Sequence, residues 1–491
     1  MRMSAPTVLR VLVFSVLPFM TACAVGPDYH RPTLPTADGY GASATPLPPS
    51  GAIPHLVVGA DIPAQWWEIF HSEALDDLVA KALENNSTIF AANAALRQAK
   101  ELSRAQRGAY YPAVSASISP SRQHFADTLA SPLANNSDLY DLTTTQLSVS
   151  YTPDLFGANA RSVESLVAQE DQQRFNLEAA RLTLASNVVL AAIQDASVRA
   201  QITATQLIVD NQRKTLAIFQ RQAELGQTSN ADLAAQVALL AQTEASLPPL
   251  EKQFAVNRDL LAALVGRTPG EPVTATFDFK SLSLPAELPL SVPAQLVEHR
   301  PDVRIAEAQL HAASAQIGIA VAARLPNLEI GANAGSAALA LTPSFNSVTE
   351  FWSVAATLTQ PIFDAGTLLH KQRSAEAAYD QAAAQYRVTV VGAFRNTADT
   401  LHSIWNDGKA LQADVVAANA SRTSLDIARR QLALGDVSQL TLFTAEQSEA
   451  EARLALLQAR ATQYSDVVAL FQALGGGWWN RDCKTKEGQA K

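Results

Sequence analysis

The fold turns on one stretch, Pro112-Ala113-Val114-Ser115-Ala116-Ser117-Ile118-Ser119. Val114, Ala116 and Ile118 alternate with three serines, so an extended chain here puts an apolar row on one face and a hydroxyl row on the other. The preceding segment, Leu75 to Arg107, is rich in Ala, Gln and Glu and reads as a helix that Pro112 stops. The same change of period occurs again: a helical stretch from Asp302 to Arg324 ends at Pro326, after which Leu328 and Ile330 alternate with Asn327 and Glu329. Loops containing Pro132-Leu133-Ala134-Asn135-Asn136 and Thr342-Pro343-Ser344 follow. Alternation then resumes at Leu147, Val149 and Tyr151, and at Trp352, Val354, Ala356 and Leu358. The spacing predicts two hairpins, 112–153 and 326–361, and hence four amphipathic strands.

Working outward, the chain is two copies of one unit. Gly157, Gly226 and Gly266 reappear as Gly366, Gly435 and Gly475, each 209 residues later. Arg221-Gln222-Ala223-Glu224-Leu225-Gly226 matches Arg430-Gln431-Leu432-Ala433-Leu434-Gly435, and each is followed three places on by a serine, Ser229 and Ser438. Upstream, Leu96 to Pro112 and Leu310 to Pro326 span equal lengths at an offset of 214. Equal spacings of this kind are the mark of duplication. From Gly157 to Gly226 and from Gly366 to Gly435 the chain carries no proline over 69 residues, which as a continuous helix is about 100 Å long. Coiled-coil seams run through Leu177, Leu184, Val188 and Ala191, through Leu182, Val189 and Ile193, and in the second copy through Leu411, Val415, Ala418, Leu425 and Leu432. Gly226 and Gly435 turn the chain into returning helices, the first of which Pro248-Pro249 must kink or break. The organisation read from this is a signal segment at 1–22 and an extended amino-terminal segment at 23–70. A first repeat at 71–267 with its tip near 226 and a proline-rich linker at 268–299 follow, the linker with a strand-like run from Val273 to Phe279. A second repeat at 300–476 with its tip near 435 and a tail at 477–491 complete the chain.

The 491 residues are 48% hydrophobic and only 17% charged, with a formal net charge of −9, which argues against disorder and against a basic nucleic-acid-binding face. Beyond the first two dozen residues no uncharged apolar run approaches the ~18 residues of a membrane-spanning helix. The amino terminus reads as a secretory signal, with Arg2 and Arg10 flanking the short apolar stretch Val11 to Met20. Met20-Thr21-Ala22-Cys23 resembles the lipobox at which bacteria acylate a new amino-terminal cysteine; Ala22-Cys23-Ala24 also fits an ordinary cleavage site. Acylation at Cys23 adds on the order of 0.8 kcal/mol per buried methylene, and Ala24 after it implies sorting to the outer membrane. All three methionines, Met1, Met3 and Met20, lie in the signal, so the mature chain offers no thioether for a Cu(I) relay. Cys483 is left unpaired.

Four strands cannot close a membrane barrel, which starts at about eight. Several subunits must therefore pool their strands, unless the sheet is a soluble one on a helical stalk. Trp66-Trp67-Glu68-Ile69-Phe70 leading into Leu75, Leu78-Val79, Ala82-Leu83 and Asn85-Asn86, with Arg300-Pro301-Asp302-Val303-Arg304 and Ala473-Leu474-Gly475-Gly476-Gly477-Trp478, resembles the OprM/NodT branch of the TolC-like outer-membrane efflux factors. Cys23-Ala24-Val25-Gly26-Pro27-Asp28-Tyr29-His30-Arg31-Pro32 resembles that branch's mature amino terminus, so the likeness covers essentially the whole mature chain. The resemblance implies an α+β fold: a homotrimer whose 12-stranded transmembrane barrel continues into a 12-helix periplasmic coiled-coil barrel. It also implies an exit duct for drugs or toxic organic compounds in a Gram-negative outer membrane, joined by a periplasmic adaptor to an inner-membrane transporter of the resistance-nodulation-division type. Residue by residue, it places a closing leucine ring at Leu440 and puts Thr444 where the family has an aspartate ring. Asp436 and Asp232 lie nearby as charges or caps. Gly226, Ser229, Gly435 and Ser438 fall on the tip positions that meet the adaptor.

No H-E-x-x-H, C-x-x-C pair, G-x-S-x-G or Walker A pattern is present, and Gly475-Gly476-Gly477 follows a helix instead of opening one, so neither catalysis nor a cofactor is expected. His299 and His311 are expected at the surface. Two other readings remain open at this level: the same duct carrying metal ions or secreted polypeptide, and a lipid-anchored coiled-coil envelope protein that conducts nothing.

Overall fold

The computed structural model describes residues 24–33, 55–124, 126, 137–284, 287–290, 298–339 and 346–481. The signal, Cys23 and Cys483 lie outside them. In chain order the elements are strand β1 (His55–Val58), a 3-10 turn Trp66–Phe70, helices α1 (Glu73–Asn85) and α2 (Ser87–Arg107), strands β2 (Ala113–His124) and β3 (Leu139–Tyr151), and helices α3 (Ala158–Glu224), α4 (Asn230–Ala245) and α5 (Leu247–Leu264). Strand β4 (Glu287–Leu290), helix α6 (Pro301–Ala322), strands β5 (Asn327–Ala338) and β6 (Glu350–Thr359), and helices α7 (Thr367–Leu434) and α8 (Gln439–Ala473) complete it. The order helix, strand, strand, long helix, return helix thus occurs twice.

Three expectations are corrected. Leu75 to Arg107 is not one helix: Asn86 leaves helical geometry, its Oδ1 accepting from the Thr88 amide (2.8 Å) and its Nδ2 donating to the Leu264 carbonyl (2.9 Å). That amide caps the following helix and ties the break to α5. Among the described residues Val273 to Phe279 pairs with no strand; Arg258 donates to the carbonyls of Val273 and Ala275, and the Phe277 amide donates to buried Asp195 (3.4 Å), so side chains replace a ladder. The strand near the linker is instead β4, parallel to β1, an element unforeseen in the aperiodic amino-terminal segment. His299 and His311, finally, are only partly at the surface: each is half-buried, His299 stacked on Trp479 (4.0 Å) and His311 on Tyr29 (4.2 Å).

The chain divides into two compact units, each taking pieces of both copies. One comprises the described parts of Met1–Pro32, Leu96–Gln173 and Ala306–Tyr386 and contains the antiparallel sheet, in the order β2-β3-β5-β6. Its helices start with matching caps: Asp154 accepts from the amides of Asn159 and Ala160 at α3, and Asp364 from those of Gly366 and Leu368 at α7. Those backbone bonds hold the Asp364 carboxyl below the usual carboxylate range. Residues 24–32 lie as a strap along α6, Gly26 against Gly318, Tyr29 on His311 and Arg31 paired with Glu307 (3.1 Å), a stripe of one helix face. Arg161, its side chain 6% exposed, hooks the strap through the carbonyls of Val25 and Gly26 and the Asp28 carboxylate (2.7 Å), lowering the Asp28 pKa.

The other unit, Thr33–Ala95, Arg174–Ile305 and Arg387–Lys491, has its core where Trp66 stacks on Phe471 (5.2 Å) beside Phe70, Leu75 and Val79. Full burial of each such large side chain contributes roughly 2–3 kcal/mol. The two motifs flanking the second copy meet here. Arg300 grips Asp302 with two nitrogens (3.0 and 2.6 Å) and donates to the Ala473 carbonyl (2.8 Å), capping the end of α8. Gly476 and Gly477 both have positive φ, and a β-carbon on either would collide with Leu182 or the Pro63 carbonyl, so only glycine passes. The tail's first residues are docked: Trp478 donates to the His299 carbonyl (2.7 Å) and Arg481 pairs with Glu178 (2.9 Å).

The seams Leu177, Leu184, Val188 and Ala191, with Val189 and Ile193, are buried; Leu182 is half-buried. In the second copy Leu411 and Leu425 are buried, while Val415, Ala418 and Leu432 are half-buried.

Candidate functional site

The first functional surface is the sheet. Its register opposes Val114 to Val149, Val149 to Ala332 and Ala332 to Val354, and likewise Ala116, Leu147, Ala334 and Trp352, so every apolar row falls on one face. The other face carries Ser115, Ser148, Asn333 and Ser353 in line. The apolar face is bare: Trp352, Val354 and Leu358 are 79%, 69% and 65% exposed. A patch of that extent does not face water in a finished protein. Among the described residues both outer strands, β2 and β6, keep one side without a partner strand, and unpaired edges of 12 and 10 residues invite further strands.

The second surface lies at the helix tips. Gly226 and Gly435 have φ of 70° and 80°, and the next amides, of Gln227 and Asp436, reach back to the carbonyls of Gln222 (2.8 Å) and Gln431 (2.9 Å). With the Gly226 and Gly435 amides bonded to the carbonyls of Ala223 and Leu432 (3.0 Å each), they make the paired hydrogen bonds of a glycine-ended helix. Ser229 and Ser438 then cap α4 and α8 through the amides of Asp232 (3.0 Å) and Thr441 (3.4 Å). The two tips lie side by side, and Gly226, Ser229, Ser438 and Leu440 line one open cleft of about 510 Å³. Asp232 accepts from the Ser229 hydroxyl (2.7 Å) and so serves the cap. Leu440, at the start of α8, is 69% exposed. Thr444 is outside the cleft, its hydroxyl committed to the Leu440 carbonyl (3.0 Å).

Three tip features are absent from the sequence reading. The Thr228 hydroxyl donates to Gln439 Oε1 (2.9 Å), and Gln439 Nε2 to Gln222 Oε1 (3.4 Å), so a polar clasp joins the first tip to the second. Phe219 packs on Phe443 (5.5 Å) behind it. Deeper, Glu446 is buried against Arg429 (3.2 Å), and desolvation raises its pKa despite that partner. Val437 stands in the second copy where Thr228 stands in the first, so the clasp has one donor loop; that asymmetry was its only trace in the sequence. Among the described residues no group of His, Cys, Asp and Glu could hold a metal ion, and no helix is long and apolar enough to cross a membrane.

A family described as outer membrane efflux protein matches residues 78–267 and 292–476. The pyoverdine export outer membrane protein OpmQ of Pseudomonas putida is 30% identical over 469 residues, covering 91% of this chain and 97% of that protein. The toluene efflux pump outer membrane protein TtgI of Pseudomonas putida is 29% identical over 478 residues, covering 95% and 97%. Among solved structures, the outer-membrane channel OprN superposes with a TM-score of 0.84 at 27% identity, over 93% of this chain and 100% of that one.

Proposed function

Because the chain belongs to the outer membrane efflux protein family, whose members are channel proteins and not enzymes, we propose that it works as a homotrimeric, lipid-anchored exit duct of a tripartite pump. It is an outer-membrane efflux channel for small molecules; the relatives named for pyoverdine and toluene suggest organic cargo. The observation that carries the assembly is the sheet with one bare apolar face, one polar face and two open edges. Three copies joined edge to edge make 12 strands, with the apolar face to lipid and the polar face to water. Val114 to Pro120 then runs about 20 Å along the strand, or ~15 Å of barrel height at a tilt of about 40°, which fits within the ~25 Å apolar band such barrels present. A coiled-coil protein without a pore has no use for that face.

At the other end, Leu440 serves as the closing ring, with the Thr228-Gln439-Gln222 clasp holding the tips together. A periplasmic adaptor bound around Gly226, Ser229, Gly435 and Ser438 releases it, and an inner-membrane transporter of the proton-driven type supplies the energy. Thr444, its hydroxyl tied to its own helix, adds no charge to that ring. Cys23 anchors the mature chain through acylation.

The test is reconstitution of the purified mature protein in planar bilayers with its mass measured in detergent. A trimer giving discrete conductance steps is expected; a monomer that never conducts defeats the duct. Incorporation of labelled palmitate, lost in Cys23→Ser, tests the anchor, and labelling that persists refutes it.

A further inference from the structure

On the polar face of the sheet one side chain differs in kind from the rest. The inward rows of β2 and β6 hold Ser115, Ser117, Ser119, Ser353 and Thr357 besides Phe351, and β3 and β5 continue in hydroxyls, amides and small residues apart from Leu142. Glu329, on β5 opposite Thr357, is the single group of that face, among the described strand residues, charged at neutral pH. The other ionisable strand residues, Arg122, His124, Asp141 and Glu350, fall by register on the apolar face near the far end of the sheet, where Arg122 and Asp141 pair at 3.7 Å. Glu329 itself is exposed. Arg324, the nearest cation along the chain, keeps its charge but directs its guanidinium to Gln372 Oε1.

We infer that Glu329 sets the ionic preference of the barrel interior: a carboxylate ring near the helical end of the sheet that favours cations and cationic amphiphiles over anions. The inference rests on the duct reading, which makes the polar face the lumen and brings three copies of Glu329 to one level. Among the described strand residues the face around it has hydroxyl and amide dipoles but no cation, so the carboxylate field acts on whatever passes. Across the ~5 Å of a cross-strand pair, a unit charge in water shifts the local concentration of a monovalent ion roughly two- to threefold, in opposite directions for cation and anion. Their ratio at Thr357 therefore changes about fivefold.

The experiment places a thiol at Thr357 (Thr357→Cys, with Cys483→Ser) in the assembled protein and measures its reaction with a trimethylammonium and with a sulfonate methanethiosulfonate. Any effect of Glu329 on the thiol's own ionisation cancels in the ratio of the two rates. Relative to a free thiol, the ammonium reagent is expected to be favoured about fivefold, the preference vanishing in Glu329→Gln and surviving in Glu329→Asp. A ratio unchanged by Glu329→Gln overturns the inference and leaves the duct standing. A Thr357→Cys that neither reagent reaches, with Val354→Cys reacting in its place, reverses the faces and overturns both.

Discussion

Gly26 crosses Gly318 so closely that a β-carbon on Gly26 would collide with the Gly318 Cα. The meeting of two glycines lets the strap sink against α6, where Arg161 reaches its carbonyls. Gly26→Val is therefore expected to lift the strap, costing about 1–3 kcal/mol, the usual range for overpacking. Thermal unfolding and protease cutting within residues 24–33 read the effect. Because φ at Gly26 is 92°, Gly26→Ala already falls where side chains are strained. Wild-type resistance in both variants would mean that the strap is not held by this contact.

At the tips, Leu440→Ser is expected to raise resting conductance and to sensitise cells to large antibiotics normally excluded, since the exposed leucine is the apolar plug of the proposed ring. Gln439→Ala removes the centre of the clasp and should act in the same direction, more weakly, each hydrogen bond being worth about 1 kcal/mol. Unaltered permeability in correctly assembled Leu440→Ser protein would remove Leu440 from the gate.

In the proposed trimer the seam between subunits follows from the chain's own repeat. Val149 faces Ala332 where the two copies join inside the sheet. Shifted by the copy offsets of 209 and 214 residues, these positions become Leu358 and Ile118, both on the apolar face. Leu358→Cys with Ile118→Cys, in a Cys483→Ser chain, should oxidise to covalent multimers, the opposed β-carbons being within disulfide reach. Leu358→Cys with Ser117→Cys, on opposite faces, should not. Equal cross-linking of both pairs would dismiss this register.

Asp466 on α8 is half-buried, and desolvation followed by the neighbouring Asp407 carboxyl pushes its pKa up to about 7. The native state thus holds a proton that the unfolded chain releases near the ordinary value of 3.8. Its contribution is fully present below that value and is lost as pH rises through 7, so this site makes stability fall across that window. Asp466→Asn should flatten the fall, measured as melting temperature against pH from 4 to 8. An identical slope in wild type and variant would count against it.

The strands were legible because a sheet with one apolar and one polar face must alternate residue by residue, and Val114 to Ser119 does so without a break. The turns were legible because Gly226 and Gly435 sit where a left-handed residue ends a helix. The break at Asn86 was hidden, since Asn-Ser-Thr is compatible with helix and the deciding partner, the Leu264 carbonyl, lies 178 residues away. Val273 to Phe279 looked like a strand from composition, but Arg258 and Asp195 claim its backbone groups. The clasp escaped for a related reason: it joins the two copies, and a repeat compared with itself reveals what the copies share, not how they touch.

The two return arms differ mechanically. Pro248 and Pro249 interrupt the first at Ser246, leaving α4 and α5 as 16- and 18-residue pieces, whereas α8 runs unbroken for 35. A push on the Leu440 end of α8 is delivered along a stiff lever roughly 50 Å long to the Arg300-capped end beside Trp66 and Phe471. The same push on α4 meets the break at Ser246 before it reaches α5. The duplicated chain therefore owns one compliant arm and one transmitting arm, and it is the transmitting arm that bears the leucine.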